Sequence, residues 1–122
     1  MNFNYLTVFV AVSTTNLQTL VDFYRELFQV EPSSYRLATY AEFELGTLCL
    51  GIFQPKTDHQ SEFKNIASSM SLCVEVKDLD QAIATLRDLG YSPPGEINEA
   101  SHGKEIYAYD PDGNRLILHQ TN

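Results

Sequence analysis

Apolar and polar positions follow an order along the chain that predicts its secondary structure. Residues 8–12 are β-branched or aromatic and too few for a helix, so they predict a strand. The polar residues 13–16 that follow can cap a helix. Apolar side chains then recur every three or four residues and predict one helical face, and Pro32 prevents the helix from continuing. This face consists of Leu17, Leu20, Val21, Tyr24, Leu27 and Phe28.

The rest of the first half predicts a hairpin and then a long connection. Residues 40–45 alternate between polar and apolar side chains, residues 46–47 predict a turn, and residues 48–53 predict a second strand. Residues 54–65 are polar and aperiodic, which indicates a linker or a long surface loop.

The second half begins the same order again. Residues 71–76 predict a strand, Asp78 can cap a second helix with Gln81 as its capping-box partner, and Gly90 supplies the usual stop. The apolar face of this helix consists of Leu79, Ala82, Ile83, Leu86 and Leu89. Residues 105–109 and 115–119 predict strands, and the DPDGN segment between them predicts a hairpin turn.

The two halves can be overlaid. The valines of the first strand recur 64 residues later, the helical positions 62 residues later and the leucines of the last strand 68 residues later. One supersecondary unit of strand, helix and meander is therefore used twice. We do not expect either half to be stable alone, since each helix covers one face of its sheet.

Composition narrows the classes of protein that remain. A chain of 122 residues, 43% apolar and 20% charged, is a single globular domain. Sixteen acidic residues against eight basic ones give a net charge of −8, which argues against nucleic acid and anionic membrane surfaces as partners. The acidic balance is compatible with a cationic ligand, and equally with charge that serves solubility.

The cysteines and the first residues of the chain indicate the cellular compartment that we expect. Cys49 and Cys73 have no CxxC spacing and no histidine nearby, so a disulfide framework or structural zinc site is not expected. The first five residues lack a basic signal-peptide region, and the longest apolar run, 8–12, is too short to span a bilayer. We expect a reduced, cytoplasmic protein.

Three segments carry a resemblance to a known family. They are LVDFYRELF at 20–28, VEVKDLDQAIATLRDLGY at 74–91 and YDPDGNRLILHQ at 109–120. In this order, and with the duplication, they resemble the vicinal oxygen chelate superfamily, which has the glyoxalase, bleomycin-resistance and extradiol-dioxygenase fold. The resemblance implies an α+β fold of tandem βαβββ modules, with eight strands in two half-open curved sheets and helices on the convex side. It also implies one domain over 1–122, with module one at about 3–54, a connecting loop at 54–66, module two at about 67–121, and pairing as a homodimer.

The resemblance also identifies where a metal would be bound. In the metalloenzymes of the family, each module supplies a ligand near the start of its first strand and a carboxylate on its last strand. The corresponding residues here are Thr7, Ser71, Ile117, and Cys49 or Gly51. None is His, Asp or Glu, so this donor set predicts neither a metal nor another cofactor.

Strand alternation predicts which side chains line the concave faces. The expected ligand-binding residues are Thr7, Phe9, Glu42, Phe53, Ser71, Cys73, Glu75, Tyr107, Tyr109, Ile117 and His119. The aromatic members can stack on a planar or cationic ligand, with glutamates adding complementary charge. Ordinary sheet packing or a dimer seam explains the same aromatic side chains equally well.

Titratable residues leave an enzymatic alternative open. His119, Glu75 and Glu42 could form a displaced metal site or an acid–base pair, although a strand-end histidine and strand glutamates are commonly solvated. His59 and His102 lie in polar loops, where we expect solvent exposure.

The sequence thus favours a metal-free protein of this superfamily, with no catalytic residue, that binds a small cationic or aromatic molecule in a concave cavity of a homodimer. The alternatives are a metal-dependent lyase, isomerase or dioxygenase with displaced ligands, and a structural or regulatory dimer without a ligand.

Overall fold

The two predicted modules form two compact units. The computed structural model describes residues 3–4, 6–64 and 69–122, and divides the chain into Met1–Phe63, here called module one, and Lys64–Asn122, called module two. The predicted boundary between the connecting loop and module two, at 66–67, lies outside the described residues. Among the helices that the structure describes, none has the length and apolar character needed to cross a membrane.

Module one is a four-stranded mixed sheet with one helix. Its elements are β1 (Val10–Ser13), α1 (Leu17–Phe28), β2 (Ser34–Arg36), β3 (Tyr40–Glu44), β4 (Cys49–Phe53) and a 3-10 helix (Thr57–Phe63). The strand order is β1-β4-β3-β2, in which β1 pairs with β4 in parallel and the other neighbours are antiparallel.

Helix α1 is bounded by a capping residue at each end. The Asn16 side chain accepts a hydrogen bond from the Thr19 N–H at 3.2 Å, which caps the amino end, and Gln29 ends the helix in the left-handed conformation. Four of the six predicted apolar-face residues are buried, while Leu27 and Phe28 are half-buried. Phe23, which the predicted face omitted, is also buried, because it lies three residues after Leu20 on the same side of the helix.

The sheet of module one has two chemically different faces. Phe43 pairs with Leu50 and Ala41 with Ile52, and these four side chains are buried on the side that carries α1. Alternate residues point the other way, onto what we call the helix-free face of module one. On β3 and β4 it consists of Tyr40, Glu42, Glu44, Cys49, Gly51 and Phe53.

Module two repeats this topology. Its elements are β5 (Leu72–Glu75), α2 (Leu79–Leu89), β6 (Asn98–Ala100), β7 (Gly103–Tyr109) and β8 (Arg115–Thr121), with strand order β5-β8-β7-β6. The strand β5 pairs with β8 in parallel, as β1 does with β4. The α+β fold of two four-stranded modules, with sheets that do not close, confirms the predicted fold class.

The amino end of the helix is capped in a similar way in each module. The Asp78 side chain accepts the Gln81 N–H at 3.1 Å, and Gly90 adopts a φ of 96° after α2, as predicted. The first N–H of each helix donates to a glutamine at the end of its last strand: Leu17 to Gln54 at 3.3 Å and Leu79 to Gln120 at 2.7 Å. The glutamines thereby satisfy backbone donors that a helix leaves without an internal partner.

Several predicted boundaries were wrong. The first strand begins at Val10, because its partner β4 begins at Cys49 and the β3–β4 turn leaves earlier residues unpaired. Val8, which the predicted strand included, is consequently unpaired and 80% exposed. Two short strands, β2 and β6, lacked an alternating signal, and the predicted loop contains the 3-10 helix Thr57–Phe63.

Candidate functional site

A groove opens on the helix-free face of module one. Its volume is about 360 Å³, and it is lined by Thr7, Val8, Phe9, Glu42, Glu44, Gly46, Thr47, Leu48 and Cys49. Glu44 pairs in register with Cys49, and Glu42 lies two residues along β3 on the same face. One donor atom from each of Glu42, Glu44 and Cys49 lies within 4.8 Å of the others. The polar part of the groove is therefore a pair of carboxylates beside a thiol.

Tyr40 positions one of these carboxylates. Its hydroxyl donates a hydrogen bond to Glu42 Oε1 at 2.8 Å. The ring lies over Gly51, where an added Cβ would stand 2.9 Å from the Tyr40 oxygen. Burial, together with the hydrogen bond and the charge of Glu42, raises the pKa of Tyr40 to about 12. Tyr40 is thus a neutral donor at physiological pH that holds Glu42 in place.

The thiol of Cys49 is kept protonated. Burial, together with the adjacent Glu42 and Glu44 carboxylates, raises the pKa of Cys49 to about 11. A protonated thiol is a poor nucleophile, because the thiolate is the reactive form. Among the described residues, Glu42 and Glu44 form no ion pair with a basic side chain. The groove can therefore attract a cation but offers no activated nucleophile.

The helix-free face of module two brings together six of the predicted residues. Cys73 and Glu75 on β5 pair with Ile117 and His119 on β8. Tyr107 pairs with Ile117, and Tyr109 follows on the same face of β7; the two tyrosines are 45% and 37% exposed. Ser71 precedes β5, and its Oγ accepts a hydrogen bond from Arg115 Nε at 2.7 Å.

Three of the titratable groups in module two form a hydrogen-bonded line. His119 Nδ1 lies 2.8 Å from Glu75 Oε1, and His119 Nε2 lies 3.1 Å from His102 Nδ1. Thr121 donates to Glu75 Oε2 from its hydroxyl at 2.8 Å and from its backbone N–H at 2.9 Å. Hydrogen bonds from the Thr121 hydroxyl and from His119 lower the pKa of Glu75, so it carries a negative charge at neutral pH.

Of the four predicted binding residues of module one, three line the groove and one does not. Thr7, Phe9 and Glu42 line the groove, whereas Phe53 packs edge-on against Phe63 of the 3-10 helix, with ring centroids 5.0 Å apart. Phe53 lies on the helix-free face by register, but the ring of Phe63 partly covers it, and the strand pattern did not predict this contact.

Two further residues contribute to these sites. Alternation along β3 places Glu44 on the same concave face as Glu42, but Glu44 was not among the expected ligand-binding residues. His102 was expected to be solvated, and no local pattern indicates its contact with a residue 17 positions later.

The positions that the resemblance assigns to a metal do not carry a matching donor set. Ile117 is apolar, Gly51 has no side chain, and Ser71 is engaged by Arg115. Thr7 and Cys49 line the groove, and the carboxylates next to Cys49 there are Glu42 and Glu44 on β3.

Comparison with known proteins identifies the family. Residues 6–118 match the model of the Glyoxalase/Bleomycin resistance protein/Dioxygenase superfamily. The metallothiol transferase FosB of Shouchella clausii (strain KSM-K16) is 30% identical over 110 residues, covering 88% of this chain and 74% of that protein.

Solved structures share the fold. The fosfomycin resistance protein FosX from Listeria monocytogenes has a TM-score of 0.77 at 16% identity, covering 98% of this chain and 96% of its own. A glyoxalase/bleomycin resistance protein from Catenulispora acidiphila DSM 44928 has a TM-score of 0.69 at 21% identity, covering 97% and 100%. The sequence match over 6–118 and the duplicated fold make this chain a member of the glyoxalase/bleomycin-resistance/dioxygenase superfamily.

Proposed function

We propose that this protein binds a small cationic molecule, without a metal, in the groove on the helix-free face of module one. The observation that carries the proposal is the pair of carboxylates, Glu42 and Glu44, that line the groove and form no ion pair among the described residues. A cation bound there would neutralise charge that the fold itself leaves uncompensated.

The groove also supplies apolar contact. Phe9 and Leu48 both line it, and 47% of the surface of Phe9 is exposed. An exposed aromatic ring beside carboxylates favours a cation attached to a planar or aromatic body, which can stack on the ring. The preferred ligand is therefore an aromatic ammonium compound.

We further propose that the protein functions as a homodimer. Phe3, Leu6 and Val8, in the segment next to the groove, are 89%, 99% and 80% exposed. With Asn4, Thr7 and Phe9 they line a second, more open cavity of about 550 Å³. Contiguous exposed apolar side chains mark protein contacts, and a second copy of the chain would remove them from water.

Thermal shift in the presence of EDTA tests the ligand class. Benzyltrimethylammonium should raise the melting temperature by mass action, and phenylacetate, an anion of similar size, should not. Glu42→Gln and Glu44→Gln should each weaken the affinity about fivefold, since one exposed charge contributes about 1 kcal/mol. Glu26→Gln makes the same charge change on an exposed residue of α1 and should have no effect. Equal shifts with the cation and the anion would refute the proposal.

A second candidate function rests on the same three donors. Carboxylate oxygens and a thiolate are ligands for divalent transition ions, and Glu42, Glu44 and Cys49 lie within 4.8 Å of one another. A metal-dependent lyase, isomerase or dioxygenase with displaced ligands would use this cluster. Metal analysis of protein purified without chelator distinguishes the two. One tightly bound ion per chain that is lost in Cys49→Ala would support the enzyme and overturn metal-free binding.

A further inference from the structure

A second chemical site lies in module two, built from residues that the groove does not use. Glu75 on β5, His119 on β8 and His102 in the turn before β7 are joined by contacts of 2.8 and 3.1 Å. The imidazole planes are inclined by only 27°, with ring centroids 5.2 Å apart and nitrogens 3.1 Å apart. The rings therefore meet end to end through their nitrogens, as in a chain of hydrogen-bonded imidazoles.

The protonation of each ring follows from its partners. Glu75 is ionised at neutral pH, and an ionised carboxylate only accepts hydrogen bonds. Two Thr121 donors occupy its Oε2, so its Oε1 accepts from His119 Nδ1–H. In a neutral imidazole only one nitrogen carries hydrogen, so His119 Nε2 must accept from His102 Nδ1–H. The free lone pair of the chain therefore lies on His102 Nε2.

The imidazole chain is closely packed at His119 and exposed to solvent at His102. The His119 side chain is 21% exposed, and a Cβ added at Gly103 would stand 3.1 Å from its Cε1, so the ring is closely packed. His102 is exposed. The chain thus runs from a fixed carboxylate to an imidazole at the surface, an arrangement that orients a base and stabilises the cation formed when it takes a proton.

We propose that Glu75, His119 and His102 form an acid–base site in which His102 Nε2 accepts a proton from an ammonium ligand. The N–H bond of the ligand breaks, its nitrogen keeps the electron pair, and a new N–H bond forms at His102 Nε2, leaving a neutral amine and an imidazolium. Water then takes the proton from His102. His119 and Glu75 are positioning residues.

Charge on the same face favours an ammonium over an anion. Glu105 on β7 pairs in register with His119, so carboxylates flank this ring from both neighbouring strands. The exposed Tyr107 follows on the same face. The site shares no residue with the groove of module one and does not depend on the function proposed for that groove.

Nitrogen-15 NMR of the histidine side chains tests the geometry directly. In the neutral state, His102 and His119 should both carry hydrogen on Nδ1, whereas the exposed His59 should show the Nε2–H form that prevails in water. Glu75→Ala removes the acceptor, so both site histidines should change to Nε2–H while His59 does not. Glu99→Ala, at an exposed residue of β6, is the matched control and should change neither. Nε2–H forms at His102 and His119 in the unaltered protein would overturn the proposal.

Proton exchange of benzylammonium with water tests the chemistry. The protein should accelerate exchange, and His102→Ala should slow the protein-dependent rate by about 100-fold, the lower end of what positioned bases supply. His59→Ala should leave the rate unchanged. A rate equal in the unaltered protein and in His102→Ala would refute the acid–base role, even where the tautomers are as expected.

Discussion

The turn between β7 and β8 depends on one buried carboxylate. Asp110 is 3% exposed and accepts hydrogen bonds from the N–H groups of Asp112 and Asn114, both at 2.9 Å, and from Asn114 Nδ2 at 2.8 Å. These bonds fold the DPDGN segment back so that β8 pairs with β7 in register. Asp110→Ala would remove all three hydrogen bonds at once.

The cost of that substitution can be worked from the contacts. A hydrogen bond to a charged group contributes about 1.5–3 kcal/mol, and the lower value suits a turn that water can re-enter. Two lost backbone bonds at that value predict a loss of about 3 kcal/mol in the free energy of unfolding for Asp110→Ala. Asp110→Asn keeps one acceptor oxygen but turns an amide toward Asn114 Nδ2, and should lose about half as much.

Urea unfolding followed by circular dichroism measures these losses. Asp112→Ala changes an exposed neighbour in the same turn and should stay within about 0.5 kcal/mol of the unaltered protein. If Asp110→Ala lost less than about 1 kcal/mol, or no more than Asp112→Ala, the turn would not depend on the carboxylate, and the reasoning from hydrogen bonds to charged groups would fail.

Three further predictions concern strain and pH. Gly103→Ala should lose more than about 3 kcal/mol of stability in urea, because φ is +152° and the new Cβ would lie 2.3 Å from a backbone oxygen, whereas Gly95→Ala meets nothing. Tyr40 has a raised pKa of about 12, so its contribution is complete below about pH 10 and is lost toward pH 12. Tyr40→Phe should therefore lose less stability over that range, and equal slopes would contradict this. Glu75 has a lowered pKa, so its contribution is present above about pH 4.3 and is lost as the pH falls through the lowered value. Urea midpoints of Glu75→Gln and the unaltered protein should accordingly differ at pH 7 and converge in acid.

The fold was predictable because its signals are local and repeated. The spacing of apolar residues located α1 and α2, Asp78 and Gly90 bounded the second helix, and the DPDGN segment located the last hairpin. Each of these signals is a short-range conformational preference that agrees with the tertiary structure. The duplication then supplied the topology, since two units with the same element order were expected to form similar sheets.

Only those site residues whose orientation follows from alternation along a strand could be predicted. Alternation placed Glu42 on the helix-free face and grouped Cys73, Glu75 and His119. It could not find the point at which β1 starts to pair, so the predicted strand began at Val8 although pairing begins at Val10. Pairing limits are set by the partner strand, and hairpin ends bring together residues far apart in sequence, which local patterns do not encode.

The contact of His102 with His119 illustrates this limit. The turn before β7 brings residue 102 beside the end of β8, where Asn122 N–H donates to the His102 carbonyl at 3.3 Å. Neither histidine has a neighbouring motif, so only the assembled sheet reveals the imidazole chain.

Isothermal titration of benzyltrimethylammonium into the protein in EDTA distinguishes a cation held by the two carboxylates from a ligand held through a metal. We expect saturable one-site binding that persists without metal, weakens about 25-fold when Glu42→Gln and Glu44→Gln are combined, and is unchanged in Glu26→Gln. Binding that is absent in EDTA and restored by a divalent ion, or that ignores the loss of both carboxylates, would contradict this expectation.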